Sequence, residues 1–102
     1  MAHYVLSPKI EAKLRTKHNI QPHELDEAFF NRNGPYIADT RAVHQTNPPT
    51  EWFLARTDTG RLLKIVVVYD PPRGTFIKTA FEAAAADIAT YTAVTGIAET
   101  LL

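Results

Sequence analysis

EWFLARTDTGRLLKIVVVYDPPRGTFIKTAF, residues 51–81, is the stretch on which the fold turns. Glu51–Thr57 and Arg61–Tyr69 read as two strands joined by Asp58-Thr59-Gly60, a hairpin turn with a glycine available for positive φ. In the second strand Leu62, Val66 and Val68 point to one side, and Leu63, Ile65 and Val67 to the other. Both faces are therefore apolar except near Lys64, the mark of a central strand covered on two sides. Asp70–Gly74 turns the chain again, and Thr75–Phe81 returns as the last strand of a meander.

Upstream, Ser7-Pro8 reads as an N-cap followed by proline at the first helical position, and Ile10, Leu14 and Lys17 share one side at helical spacing. This predicts a helix over Pro8–Lys17, stopped by Asn19 in a left-handed conformation with Ile20 packing beneath it. Pro22 opens a second helix whose early acids, Glu24, Asp26 and Glu27, suit the positive end of its dipole. Leu25, Ala28 and Phe29 form its inner stripe, and Asn31, Asn33, Gly34 and Pro35 end it. Tyr36–Thr40 is a candidate edge strand, and Arg41–Pro49 a loop kept out of the sheet by its double proline. Downstream, the alanine run from Ala83 starts a closing helix ended by Gly96. Its inner face is either Ile88, Tyr91 and Thr92 or Val94 and Thr95. The short apolar segment Ile97–Leu102 docks on the core, extends the helix or covers a partner.

A chain of 102 residues suits a single domain, and 45% hydrophobic with 22% charged residues is a globular composition. The expected class is α+β: two N-terminal helices, a three- to four-stranded antiparallel sheet and a C-terminal helix. With no cysteine, disulfides, thiolate metal sites and cysteine nucleophiles are excluded together. The longest strictly apolar run, Ile65–Tyr69, falls far short of the ~20 residues of a spanning helix. Met1-Ala2-His3-Tyr4 also lacks the charged and apolar regions of a signal peptide, so the expectation is a cytoplasmic protein without membrane contact. The formal charge is zero, but all 11 Lys and Arg fall within residues 1–78, and residues 79–102 carry only Glu82, Asp87 and Glu99. A neutral total disfavours strong nonspecific binding to nucleic acid, while a local basic patch remains able to grip a few phosphates.

The sequence contains no P-loop, dinucleotide fingerprint, HExxH or nucleophile elbow. His3, His18, His23 and His44 are dispersed, and no metal or other cofactor is expected. More informative are the cations on the sheet and at its entrance: Arg41, Arg56, Arg61, Lys64 and Lys78. In the simple hairpin register Lys64 and Lys78 meet on one face, where two amines repel unless an anion or a carboxylate such as Glu82 joins them. The alternative is that the lysines keep an exposed strand from pairing with other chains. Cleavage of RNA by its own 2′-hydroxyl needs a proton acceptor, a proton donor and cations for the phosphorane. His44, three residues after Arg41, and Glu82 are candidate acceptors; Arg41, Arg61, Lys64 and Lys78 are candidate cations. Trp52, Tyr69 and Tyr36 either stack on bases or belong to the core.

Lys17-His18-Asn19-Ile20, Glu24–Phe29, Asp39-Thr40-Arg41, Gly60–Val67 and Ile77-Lys78-Thr79-Ala80, in this order, resemble the BrnT family of toxins in the RelE-like superfamily. The likeness covers roughly residues 9–91. It implies a two-layer RelE-like domain that cleaves RNA without a metal. It also implies a small DNA-binding antitoxin as partner, with assembly as a homodimer or as a heterotetramer with that antitoxin. Arg61 matches the family's G-R position and Lys17 its K-H position, with Lys78 standing for the cation of the last strand. Phe81 and Glu82 stand where BrnT-like chains have arginine and lysine. The residues expected to carry catalysis are therefore His44, Arg61, Lys78 and Glu82, with Lys17, Arg41, Arg56, Lys64 and Trp52 contacting RNA. A second expectation is a noncatalytic protein-binding module of the same fold, one that could grip a helix across its sheet. A third, an ADP-ribose-related hydrolase, comes from the similarity of D-T-R, P-P-T-x-W-F and T-D-x-G-R to small proteins so described. Hydrolases of that kind are larger, helical and cluster carboxylates around metal, a cluster this chain lacks.

Overall fold

The computed structural model describes residues 3–40 and 48–102. Helices α1 (Pro8–Lys17) and α2 (Pro22–Asn31) precede strands β1 (Ile37–Ala38), β2 (Thr50–Arg56), β3 (Leu62–Asp70) and β4 (Gly74–Glu82). Helix α3 (Ala85–Thr95) and a 3-10 turn (Glu99–Leu101) close the chain. The strands form one antiparallel sheet in the order β1-β2-β3-β4, the meander that the two tight turns dictate.

Local chemistry sets the boundaries. Ser7 Oγ accepts the Ile10 amide at 3.2 Å, satisfying one of the orphan donors at the start of α1. At its other end Asn19 takes φ 52°, the left-handed stop the sequence implies. Gly96 ends α3 with φ 74°, and its amide reaches Thr92 O at 2.9 Å. The edge strand is shorter than Tyr36–Thr40, since only Ile37 and Ala38 pair with β2.

Alternation assigns each side chain to a face. Phe53 packs edge-on to Phe29 of α2 with ring centroids 5.0 Å apart, so α1 and α2 cover the face bearing Phe53, Leu63, Ile65 and Val67. Trp52, one residue away and hence on the other face, meets Tyr91 of α3 at 5.6 Å. The closing helix thus lies against the opposite side, adding a partial third layer to the two implied by the family likeness. Its inner face is the first alternative, with Tyr91 fully buried and Val94 63% exposed. The final segment docks: Leu102 is buried and its carbonyl accepts from Arg56 Nε at 3.1 Å. Among the described residues no helix is long and apolar enough to cross a membrane.

The register of β3 with β4 departs from the simple hairpin. Lys64 lies opposite Phe81 and Val66 opposite Thr79, but Val67 faces Ile77, so Lys78 is the extra residue of a β-bulge. Lys64 and Lys78 are consequently not cross-strand neighbours on one face, and the expected amine pair does not form.

Candidate functional site

Arg61 leaves the start of β3 on the helix-covered face, where the turn between α1 and α2 ends beside it. Its Nη2 donates to His18 O, the C-cap carbonyl of α1, at 3.0 Å and its Nη1 to Asn19 O, in the turn beyond, at 2.7 Å. Nη1 also reaches both Glu24 carboxylate oxygens, at 3.1 and 3.2 Å, and Nε reaches Glu82 at 2.8 Å. The fixed fork of a guanidinium suits this task in a way an ammonium does not. Burial works against the charge of Glu24, yet the Gln21 amide and Arg61 together hold its carboxyl below the ordinary value. For Arg61 burial again opposes charge, and the two carboxylates overcome it, raising its pKa. Two expected catalytic residues, Arg61 and Glu82, are thus brought together as an ion pair, and the arginine's donors are turned inward.

Lys64 lies on the opposite face, under α3, and is 5% exposed. Its Nζ donates to Asp87 Oδ1 at 2.9 Å and sits 4.3 Å from the Trp52 ring centre and 5.6 Å from that of Phe81. The other Asp87 oxygen accepts the Ala84 amide at 3.0 Å, so one carboxylate both starts α3 and fastens it to the sheet. Trp52 is 5% exposed, with Lys64 over its ring and Tyr91 beside it, and presents no open face to a base. A cleft of about 370 Å³ adjoins this group, lined by Asp39, Thr40, Trp52, Lys64, Asp87 and Thr90 among others.

Arg56 donates to Leu102 O at 3.1 Å and to Gly60 O at 3.0 Å, tying down the C-terminal segment and the hairpin turn. Lys17 and Lys78 are exposed. Arg41 and His44 lie outside the described residues. Among the described residues no group of three or more histidines or carboxylates is placed to hold a metal ion.

The phosphate seat expected between Arg61, Lys64 and Lys78 is therefore not assembled. Arg61, just before β3, and Lys64 within it point to opposite faces, Arg61 held by Glu24 and Glu82 and Lys64 by Asp87, and Lys78 stands apart at the bulge. Sequence reading missed Glu24 and Asp87 as the partners of these cations. Glu24 had a local explanation, as an acid near the start of a helix, and Asp87 entered only in the charge balance of the last residues, so neither longer-range role showed. No family model matches the chain, and no curated protein or solved structure matches it.

Proposed function

We propose that this domain is the toxin-type member of a type II toxin–antitoxin pair, directed at RNA in the cytoplasm and held in check by a small DNA-binding antitoxin. The observation that carries the reading is the architecture. The residues resembling BrnT-like toxins imply a particular order of elements, and two helices, a four-stranded antiparallel meander and a closing helix follow in that order. The chemistry implied is metal-independent cleavage by 2′-hydroxyl attack. Because Arg61 and Lys64 are committed to internal carboxylates, the phosphate grip of this reading passes to exposed lysines such as Lys17 and Lys78. Induction of the chain without its neighbouring gene tests it. Growth arrest with RNA loss, relieved by Lys78→Ala and by the neighbour's product, is expected; normal growth with intact RNA would refute it.

A second reading, a noncatalytic protein-binding module of the same fold, is favoured by the ion pairing of Arg61 with Glu24 and Glu82. Purified protein that binds the neighbour's product yet leaves RNA uncut over the whole range of histidine titration selects it.

A further inference from the structure

The cations of this protein divide into two sets. Arg41 lies outside the described residues; of the others, six are engaged within the protein. Arg15 pairs with Glu11, Arg73 with Asp70, Lys64 with Asp87, and Arg61 with Glu24 and Glu82. Arg56 binds two carbonyls, and Arg32 binds Gly34 O and lies over the Tyr36 ring. Lys9, Lys13, Lys17 and Lys78 have no ion pair or hydrogen bond among the described residues, and all four are exposed.

These four belong to two elements that pack on one another, α1 and β4. Lys9, Lys13 and Lys17 recur every fourth residue, which on a helix makes one row of about 6 Å steps. Ile10, Lys13 and Lys17 share a flank of α1 at spacings of three and four. Ile10 and Ser7 line the same groove as Lys78, whose place at the bulge brings it there. That groove, about 510 Å³, has an apolar wall that includes Val5 and the half-buried Phe76, and the Asp70 carboxylate that also lines it is neutralised by Arg73 at 2.8 Å. A row of ammonium groups beside an apolar, partly aromatic groove is the arrangement that tracks a single-stranded nucleic acid: point charges for phosphates, a ring for a base.

We propose that a single-stranded RNA backbone binds along the Lys9–Lys13–Lys17 row of α1 and over Lys78. This deepens the RNA-directed reading above, and rests on it. The site is separate from Arg61 and from Lys64, and four phosphate contacts are the most it offers.

The test is anisotropy titration of a short fluorescein-labelled oligouridylate across salt concentrations. At about 0.7 per neutralised phosphate, the slope of log K against log salt should be about −2.8, a loss of roughly fiftyfold per fourfold rise in salt. Lys13→Gln or Lys78→Gln alone should bring the slope to about −2.1, and changing all four lysines to Gln should remove it, with the circular dichroism unchanged. Binding by the fourfold variant equal to that of the unaltered protein would overturn the track while leaving RNA as the target. Failure of the unaltered protein to bind at low salt would overturn the RNA reading itself. Preference for polyglutamate over oligouridylate would assign the row to an acidic protein and overturn the proposal.

Discussion

Arg61 and Lys13 carry the same charge, yet the fold uses them in opposite ways. Arg61 is enclosed by two carboxylates and two backbone carbonyls where the helix turn meets the sheet, whereas Lys13 stands exposed on α1 with no partner among the described residues. The contrast separates cations that hold the elements together from cations left for something outside. A positive residue on a strand is thus no sign of a ligand until its acceptors are counted. The arginine most suggestive by motif is internally the most satisfied, and less conspicuous helix lysines are the unspent ones.

The comparison is broken most sharply at Arg61. Arg61→Ala leaves the half-buried Glu24 without its cation and two carbonyls without donors, and should cost about 3 kcal/mol, read from urea unfolding. A cost near that of an ordinary surface substitution would show the guanidinium to be spare. Lys64→Met keeps the stem's packing against Trp52 but strands Asp87, and the expected loss is about 1–2 kcal/mol with weakened docking of α3. Proteolysis that opens first at the C-terminal helix would report that weakening.

Acid titration sharpens the contrast further. The folded carboxyl of Glu24 lies below its ordinary value of 4.5, so its contribution is fully present above that pH and is lost as pH falls through the folded value. Stability of the unaltered protein should decline along that limb. In Arg61→Gln the limb should be shallower, with the Gln21 amide still holding the carboxylate. An equally steep limb would assign the depression to the amide alone. The smallest effect belongs to the bare set: replacing Lys9, Lys13, Lys17 or Lys78 by Gln should each change the stability read from urea unfolding by no more than about 0.5 kcal/mol.

The same contrast explains what the sequence made legible. The sheet could be read because β3 alternates apolar residues on both sides and because Gly60 and the Asp70–Gly74 turn punctuate its ends. The helices could be read because Pro8, Pro22 and Gly96 mark their limits. These are near-neighbour signals. The fate of each cation was not legible, because its partner is remote: Glu24 is 37 residues from Arg61 and Asp87 is 23 residues from Lys64. Nor does a sequence reveal a bulge. A single extra residue at Lys78 alters which side chains face one another, and the expected pairing of Lys64 with Lys78 depended on a register the strands do not adopt. Arg41 and His44, the cation and proton acceptor that the sequence offers in the Arg41–Pro49 loop, both fall outside the described residues.

The central division between internal and unspent cations is tested most directly by the salt dependence of oligouridylate binding to Arg61→Gln, measured where circular dichroism shows the variant folded. An unchanged slope is predicted, because no phosphate contact is lost. A slope shallower by about 0.7 would mean that Arg61 reaches the RNA, and would contradict its assignment as an internal clamp.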